Sequence, residues 1–469
     1  MLAVAVSLLL SIYIVVLIIW IIWQKRSPAA TLGWILALLA LPYIGFLIFY
    51  FFGPHKIKRR RLKRQETRKA LLSWCAHSVA HKPILLPENV ARIAKVGLTA
   101  GGYPPGSCVE VRMLVDGEKT YEAIFDAIRR AERHVHLEYY IFEPDRIGTA
   151  LRDLLIEKAN AGVIVRLLID ALGSKRLTRS FLRPLYEAGA HIGFFHRASL
   201  ARLRPVINLR THRKIIVCDD WTGFIGGINI TDAEDERVTV DAYHDVHLGL
   251  YGDAVEGLQQ MFWEDWYYAT DEEPPRDAKL MNGAFPSAGK YIVQIIGSGP
   301  DTDWAPIHRA SLAAISMAKN RVWLTTPYFV PDESAMLVLT NAALRGVDVR
   351  IMVPQRSDSR LVTLAARSYF DELTRAGVVI YEFNERMLHS KTMVIDDILA
   401  TVGTANFDNR SFHLNFEVCA FVYGETLAQA LTAQFEEDAV SAKPVLKERQ
   451  VSRFGRLGEA VARLLSPLL

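Results

Sequence analysis

One short pattern of residues that could do chemistry occurs twice in this chain. It reads His-x-Lys-x-x-x-x-Asp, followed after six residues by Gly-x-x-Asn. The first copy consists of His212, Lys214, Asp219, Gly226 and Asn229, and the second of His389, Lys391, Asp396, Gly403 and Asn406. The two copies are separated by the same 177 positions throughout (389 − 212 and 406 − 229). Two copies in one register indicate an internal duplication rather than a chance match.

Two imidazoles and two ammonium groups are the groups needed to transfer a phosphodiester through a covalent intermediate. A neutral imidazole can attack phosphorus and become a phosphohistidine, while a protonated imidazole acts as general acid on the leaving alkoxide. Lys214 and Lys391 would bind the non-bridging oxygens. Asn229 and Asn406 would donate further hydrogen bonds to the same phosphate. Because the two ammonium groups supply the positive charge, the sequence predicts neither a metal nor a cofactor.

The two histidines are expected to titrate as a coupled pair, one neutral and one protonated. Each also needs a carboxylate that orients its ring, as in a serine-protease triad. Asp245 lies 33 residues after His212 (245 − 212). Glu417 lies 28 residues after His389 (417 − 389). We expect these two carboxylates to orient the histidines.

Other polar residues near the motifs have different interpretations. Asp219 and Asp396 are part of the catalytic motif, but they end the motif strands, so we expect structural turn or hydrogen-bonding roles for them. His244 and His247 flank Asp245 and offer an alternative set of metal ligands.

The elements that must position these groups also occur twice. Residues 128–145 resemble residues 315–332, and two residue pairs recur further on: Gly162-Val163 as Gly346-Val347, and Ala188-Gly189 as Ala376-Gly377. Apolar β-branched runs predict strands at His134–Phe142, Val163–Asp170 and Ile215–Cys218, with helices between them. This alternation predicts an α/β sheet covered on both faces in each half. A pseudo-two-fold between the halves would place the site at their interface.

The N-terminal region has a different composition. Ala3–Trp23 is an apolar run long enough to cross a bilayer, and a second run covers Leu32–Phe52. We expect two transmembrane helices, or alternatively a hairpin in one leaflet, because Pro42 and Gly45 interrupt the second run. Basic residues between the runs and over 56–69 place the N-terminus and the catalytic part in the cytoplasm.

These features divide the 469 residues into six predicted segments. They are a membrane anchor over 1–53, a basic juxtamembrane linker over 54–110, a first domain over 111–270, a linker over 271–290, a second domain over 291–440, and a C-terminal tail over 441–469. In the tail, apolar residues from Phe454 to Leu468 recur at helical spacing opposite several arginines. This predicts a short amphipathic helix that lies on a membrane or packs on the catalytic part.

The overall composition excludes several classes of protein. A net charge of only +4 does not suggest a protein that coats nucleic acid. Four cysteines without a Cys-x-x-Cys pair provide neither a disulfide framework nor a zinc site, and they fit a reducing cytoplasm. No Gly-rich nucleotide-binding loop occurs, and exchange of one alkoxide for another requires no activated donor.

The doubled motif resembles that of the phospholipase D superfamily, and the resemblance covers Leu114–Ala439. More narrowly, the block Gly403–Glu417 and the two apolar runs resemble the bacterial cardiolipin synthases. The resemblance implies two similar phospholipase-D-like domains behind a membrane anchor, with His212 as nucleophile and His389 as acid and base. It implies transfer of a phosphatidyl group between two phosphatidylglycerol molecules, which gives cardiolipin and glycerol.

The same resemblance implies a multi-pass protein of the bacterial inner membrane, with its catalytic part on the cytoplasmic side. Its partners would be phosphatidylglycerol and other anionic phospholipids, and not nucleic acid. The chain departs from the family pattern at Gly227, where Ser or Thr is more usual, and at Tyr243-His244, where Trp-Arg is common.

Several alternatives remain open on the sequence. One is a membrane phospholipase D or another phosphatidyltransferase with a different acceptor alcohol. A nuclease of the same superfamily would carry similar motifs, but the apolar runs argue against it. A non-catalytic lipid-binding scaffold would be expected to have lost a motif His or Lys, and all four are present. The sequence does not predict an oligomeric state.

Overall fold

The computed structural model describes residues 2–23, 28–40, 84–195, 210–273 and 289–466. Four predicted features lie outside these ranges: Pro42 and Gly45, the basic run over 56–69, most of the linker 271–290, and Leu468. The chain divides into two units, one that contains the N-terminal helices and one that contains the other described residues.

In the N-terminal unit, α1 (Leu2–Trp23) is followed by α2 (Pro28–Ala40). Leu17 and Ile21 of α1 are buried and pack with Tyr13 and Trp34. Within the residues that the structure describes, no helix has both the length and the hydropathy expected of a membrane span.

The larger unit begins with two elements, α3 (Glu88–Ala100) and β1 (Gly106–Cys108). The first half then contains β2 (Glu110–Val115), α4 (Asp116–Arg130), β3 (His134–Tyr139), α5 (Arg146–Asn160), β4 (Ile164–Asp170), α6 (Arg179–Glu187), β5 (His191–Phe195), β6 (Ile215–Cys218), β7 (Thr222–Gly226), β8 (Val246–Tyr251) and α7 (Val255–Thr270). Its seven strands form one sheet in the order β2-β8-β7-β6-β3-β4-β5. The strands β3, β4 and β5 are parallel, and the other neighbours are antiparallel.

The second half repeats this plan. It contains β9 (Tyr291–Ser298), α8 (Pro306–Met317), β10 (Arg321–Thr325), β11 (Phe329–Val330), α9 (Glu333–Leu344), β12 (Asp348–Pro354), α10 (Arg360–Arg367), α11 (Phe370–Ala376), β13 (Val379–Phe383), β14 (Thr392–Ile395), β15 (Leu399–Gly403), β16 (Phe407–Asp408), α12 (Asn409–His413), β17 (Glu417–Tyr423), α13 (Glu425–Val440), β18 (Ala442–Pro444) and α14 (Arg453–Leu464). Its sheet has the order β1-β9-β17-β15-β14-β10-β12-β13-β18, while β11 and β16 pair separately.

The inner seven strands of the second sheet correspond position by position to the seven of the first. This confirms the predicted duplication and the α/β class, with the addition that each sheet mixes parallel and antiparallel strands. The recurring glycines have a conformational reason. Gly162 follows the end of α5 with φ +88°, and Gly346 follows the end of α9 with φ +87°. Glycine adopts this left-handed conformation readily, so both helices end at equivalent places.

Two predicted boundaries differ from the structure. The linker predicted over 54–110 is folded in its described part, because α3 packs on α8 and β1 pairs with β9. The tail predicted to begin at residue 441 continues the second half, since β18 pairs with β13. Each segment adds one edge strand to the second sheet, and the first sheet has no equivalent of either strand. The repeated sequence pattern does not predict this difference between the halves.

Among the described residues, three large apolar cores and a smaller aromatic cluster around Trp266 and Phe416 hold the larger unit together. One lies between the two sheets and includes Ile215 and Leu248 of the first half with Val293 and Val418 of the second. The other two fill the outer faces, between the first sheet and α4 and α5, and between the second sheet and α8 to α11. The sheets therefore pack face to face through a shared core, and this packing brings the two motifs to one interface.

The amphipathic helix predicted in the tail is α14, and its buried residues are Glu459 and Ala462 rather than the apolar stripe. Glu459 is buried and receives hydrogen bonds from Arg449 at 2.9–3.0 Å. The apolar stripe points outward instead, with Phe454 88% exposed and Leu464 79% exposed. The side chains of the apolar stripe are therefore not packed in the core of this domain.

Candidate active site

The two motif histidines are positioned by short backbone pairings between the halves. The residue before each histidine forms a bridge with the residue before the carboxylate of the other half, Thr211 with Phe416 and Leu388 with His244. The amide N–H of His212 donates to the carbonyl of Phe416 at 2.8 Å. The equivalent N–H of His389 donates to the carbonyl of His244 at 2.7 Å. Each histidine therefore lies beside a carboxylate of the opposite half.

The resulting contacts are crossed. His212 Nδ1 lies 3.0 Å from Glu417 Oε2 and 3.1 Å from the Thr404 carbonyl. His389 Nδ1 lies 2.7 Å from Asp245 Oδ2. The sequence spacing had associated each carboxylate with the histidine of its own half, and the structure brings together the opposite partners. The reason is that the sheets pack face to face, which the distance along the chain does not reveal.

Both carboxylates hold Nδ1, so the Nε2 atom of each ring is the one available to a substrate. A ring that donates its Nδ1 proton to a carboxylate keeps a lone pair on Nε2. Glu417 and Asp245 are fully buried. The arrangement suits nucleophilic attack by one ring and proton transfer by the other.

The two lysines are buried next to the histidines. Lys214 Nζ donates to the backbone carbonyl of His212 at 2.8 Å, and Lys391 Nζ contacts that of His389. Burial and the neighbouring Lys391 lower the pKa of Lys214 to about 7. Burial also lowers the pKa of Lys391. Because burial disfavours the charged form of both lysines, an anionic ligand that enters beside them would stabilise their ammonium forms.

The pKa values of both histidines are lowered as well. Burial is the main cause for His212 and for His389, and the nearby lysines act in the same direction. These shifts favour the neutral form of both rings in the substrate-free site, whereas one neutral and one protonated ring were predicted. Burial beside two cations outweighs the carboxylates until another negative charge enters.

The predicted phosphate ligands Asn229 and Asn406 have different surroundings. Asn229 Nδ2 donates to Glu234 Oε1 at 2.6 Å, and its Oδ1 accepts from the Ile141 amide at 3.3 Å. Asn406 Oδ1 is buried and has no hydrogen-bond partner among the described residues. One side-chain N–H of Asn229 is thus already engaged, while the free Oδ1 of Asn406 is an acceptor and could bind only a donor group of a ligand.

Glu234 is a site residue that the sequence reasoning missed. It is buried, and its carboxylate lies close to the Asp245 carboxylate and the His389 ring. One ligand atom from each of these three side chains lies within 4.8 Å of the other two. The position of Glu234 in the sequence was the available signal, because Glu234 follows Asn229 by five residues, as Ser411 follows Asn406. In both halves the later residue accepts a hydrogen bond from the backbone N–H of the asparagine. The group of three could accommodate a cation, although each carboxylate already accepts a hydrogen bond.

The aspartates that end the motifs serve the backbone. The Asp219 carboxylate accepts from three consecutive amides at the start of β3, including that of His134 at 2.9 Å. The Asp396 carboxylate does the same at the start of β10, including Arg321 at 2.9 Å. Both have positive φ, 53° and 48°. They match the structural role expected from sequence and do not belong with the reacting groups.

The two histidines beside Asp245 are structural in a similar way. His244 lies between Asp116 Oδ1 at 2.8 Å and Asp438 Oδ1 at 3.0 Å. Burial acts to lower its pKa, but the hydrogen bonds with the two carboxylates prevail and raise it to about 10. A permanently charged ring thus supplies the cation that arginine would provide at this position. Burial lowers the pKa of His247 to about 3, and within the described residues neither ring belongs to a group that could hold a metal.

Comparison with known proteins agrees with this geometry. The family model described as "Cardiolipin synthase, PLD-like domain" matches residues 124–266 and 312–439, one segment in each half. The chain belongs to the cardiolipin synthase family. A second model, described as "Phospholipase_D-nuclease N-terminal", matches residues 10–54.

Individual members of the cardiolipin synthase family are similar over nearly the whole chain. The cardiolipin synthase of Geobacillus thermodenitrificans is 40% identical over 472 residues, covering 99% of this chain and 93% of that protein. Cardiolipin synthase 2 of Bacillus anthracis is 38% identical, covering 95% of this chain and 88% of that protein. The crystal structure of a phosphatidylserine synthase from Haemophilus influenzae has the same fold, with a TM-score of 0.60 at 13% identity over 81% of this chain and 100% of that one.

Proposed function

We propose that this chain is a cardiolipin synthase, a phosphatidyltransferase that moves a phosphatidyl group from one phosphatidylglycerol to another and releases glycerol. The observation that carries the proposal is the crossed pair of contacts, His212 with Glu417 and His389 with Asp245. Two imidazoles held at Nδ1, with buried lysines beside them, match what a two-step displacement at phosphorus requires.

The reaction proceeds in two displacements. His212 Nε2 attacks the phosphorus of the donor, the P–N bond forms, and the P–O bond to glycerol breaks as His389 gives its proton to the leaving oxygen. The hydroxyl of the second phosphatidylglycerol then loses its proton to His389 and attacks the same phosphorus. The P–N bond breaks, cardiolipin leaves, and both histidines return to their starting state.

The charges of the site suit this sequence of steps. An entering phosphodiester anion raises the pKa of Lys214 and Lys391, so both ammonium groups stay charged against its non-bridging oxygens. The same anion favours a proton on His389, which the substrate-free site does not hold. Asn229 and Asn406 would add hydrogen bonds to the phosphate.

The enzyme is further proposed to be anchored to the bacterial inner membrane by its two N-terminal apolar runs, with the catalytic part on the cytoplasmic side. The support is the length of the run Ala3–Trp23 and the basic residues that follow the second run. A lipid substrate explains why a catalytic domain would be tethered there. The outward apolar stripe of α14 is a second candidate contact with the bilayer.

A phospholipase D or a phosphatidyltransferase with another acceptor alcohol would use the same first displacement. Purified full-length protein in detergent, incubated with phosphatidylglycerol alone, distinguishes these functions by mass spectrometry of the products. Cardiolipin and glycerol in equal amounts are expected. Phosphatidic acid as the main product, or turnover only after addition of serine or ethanolamine, would contradict the proposal.

A further inference from the structure

The second half contains a cluster of metal-ligand side chains that shares no residue with the catalytic pairs. His308 lies in α8, Asp332 precedes α9, and His413 ends α12. Asp332 Oδ2 is 3.3 Å from His308 Nε2 and 3.8 Å from His413 Nε2. All three ligand atoms lie within 4.8 Å of one another.

The duplicated fold provides an internal reference for this cluster, because Asp145 occupies the equivalent place in the first half. Both aspartates cap the following helix with Oδ1, Asp145 at 3.0 Å from Gly148 N and Asp332 at 2.8 Å from Ala335 N. Asp145 Oδ2 accepts two further hydrogen bonds, from the Thr231 hydroxyl and an amide. In the second half the same oxygen faces two imidazole nitrogens. The second oxygen of Asp332 has therefore been redirected from the backbone to two histidines.

The two histidines of the cluster differ in their exposure to solvent. His308 is only 7% exposed, and its buried Nε2 faces Asp332 Oδ2 at 3.3 Å without the geometry of a full hydrogen bond. Its ring packs on Phe412, with centroids 4.5 Å apart, which restricts its orientation. His413 is half exposed, so the cluster opens on a cavity of about 620 Å³ that Trp304 also lines. A small ligand can therefore reach the buried nitrogen.

We propose that His308, Asp332 and His413 form a site for a divalent transition-metal ion of the zinc type. Imidazole nitrogen and carboxylate oxygen are zinc ligands, and a set of three leaves one position open to water or an anion from the cavity. Ligands about 2.0–2.1 Å from zinc in a tetrahedral site are about 3.3 Å from each other. The observed separations of 3.3 and 3.8 Å from the shared carboxylate oxygen require little movement to reach that geometry.

A metal at this place would join α8, α9 and α12. The segment that contains α12 runs from Asn406 to Glu417, so the ion would stabilise the stretch between a predicted phosphate ligand and the partner of His212. The expected consequence is a more stable folded state, since any ligand that binds only the native protein raises its apparent stability.

The test uses full-length protein in detergent, freed of metal with a chelator and titrated with Co²⁺ or Zn²⁺. Wild-type protein should show visible absorption of low-coordinate Co²⁺, a defined stoichiometry by calorimetry, and a metal-dependent rise in Tm. Asp332→Asn should weaken the binding by at least about tenfold, because it keeps the cap but loses the charged ligand. Asp145→Asn, its counterpart in the first half, should leave binding unchanged.

Two further variants keep the result interpretable. His413→Ala removes a half-exposed ligand that the fold does not require, and it should lower the stoichiometry by one ion. His389→Ala tests whether the ion binds instead at the group that contains Glu234, and it should not affect binding. Unchanged metal binding in both Asp332→Asn and His413→Ala, or loss of binding in His389→Ala alone, would overturn the proposal. Because the readout is metal binding, it is independent of whether the enzyme makes cardiolipin.

Discussion

The two orienting carboxylates occupy equivalent places in the halves but hold their histidines differently. Glu417 reaches His212 with the longer side chain, and its Oε2 also accepts from the Thr404 hydroxyl at 2.5 Å. Asp245 lacks this donor, because the position that corresponds to Thr404 (404 − 177) is Gly227. A Cβ at Gly227 would lie 2.1 Å from Asp245 Oδ2. The short carboxylate fills the space that a hydroxyl-bearing side chain would occupy, which explains this departure from the family pattern.

The difference extends to the charges of the two carboxylates. Burial acts to raise the pKa of Glu417, but its pairing with His212 and the hydrogen bond from the Thr404 hydroxyl prevail and lower it. Burial raises the pKa of Asp245 to about 6. The proposed nucleophile His212 is therefore paired with a carboxylate that stays ionised, and the proposed acid/base His389 with one whose pKa is about 6. A duplicated backbone thus supports two different electrostatic roles.

The strongest test of this division exchanges each histidine for alanine. His212→Ala should abolish turnover and covalent labelling by a phosphatidyl donor, because the nucleophile is gone. His389→Ala should lower turnover by roughly 10²–10⁴-fold as a general acid is lost, while a donor with a good leaving group still labels the protein. Labelling is measured by intact-protein mass spectrometry, with the exposed His191→Ala as control. Label that persists in His212→Ala and vanishes in His389→Ala would reverse the assignment.

The next test restores the family's usual side chain at Gly227. Gly227→Thr places a Cβ where the Asp245 carboxylate lies, so His389 loses its orientation and turnover should fall about 10²-fold, the scale of an ångström-sized misplacement. Thr404→Ser, which keeps the hydroxyl in the other half, should change turnover little. Wild-type activity in Gly227→Thr would show that the tight approach of Asp245 to Gly227 is not required.

Much of this site followed from the sequence, and the remainder depended on packing. The doubled motif, the orienting carboxylates and the structural role of Asp219 and Asp396 were predicted because each recurs at a matching place in the two halves. The crossing of the carboxylates was not predicted, because it depends on which faces of the two sheets meet. Glu234 was missed because it lies in a short 3₁₀ turn and its counterpart is a serine, so comparison of the halves gave no matching residue type.

The fold shows the same division between local pattern and long-range packing. The three strands predicted in the first half agree with β3, β4 and β6, since apolar β-branched runs mark buried strands well. The strand β1 and the helix α3 were assigned to a linker because their partners, β9 and α8, lie in the distant second half. Pairing between residues so far apart in the chain leaves no periodic signal near either partner.

A pH series compares the two carboxylates directly. Asp245 has a pKa of about 6 in the folded protein against an ordinary value of 3.8. The folded state therefore binds the proton more tightly than the unfolded state. The stabilisation that comes from this proton is fully present below about pH 4 and is lost as the pH rises to about 6. The total loss of unfolding free energy is at most roughly 3 kcal/mol.

Asp245→Asn should remove that pH dependence, so the difference in Tm between this variant and the wild type should grow in favour of the variant from pH 4 to pH 7. Wild-type turnover should fall about tenfold per pH unit below pH 6, as protonated Asp245 no longer supports a charged His389. For Glu417→Gln, the Tm of the variant minus that of the wild type should not rise between pH 4 and pH 7, because the pKa of Glu417 is lowered in the folded protein. Parallel pH profiles for the two variants would show that the carboxylates are electrostatically equivalent.

The smallest expected effect concerns a part of the second half that has no counterpart in the first. The helix α14 presents Leu457 (60% exposed) and Leu464 (79% exposed) seven residues apart on its outer face. An apolar stripe flanked by arginines fits the interface of an anionic bilayer. Replacing both leucines with aspartate should leave Tm in detergent nearly unchanged, because neither side chain is buried in the domain.

Turnover on anionic vesicles by the Leu457→Asp, Leu464→Asp protein should fall by up to about tenfold, since roughly 1.4 kcal/mol of lost apolar contact corresponds to a factor of ten. Turnover on lipid dissolved in detergent should not change. A matched control exists on α9, where Leu337 and Leu344 have the same spacing and are 59% and 71% exposed. If the aspartate pair on α9 caused the same vesicle defect, apolar exposure in general would be responsible and not α14. A large loss of Tm in the α14 variant would instead show that the stripe packs against another part of the protein.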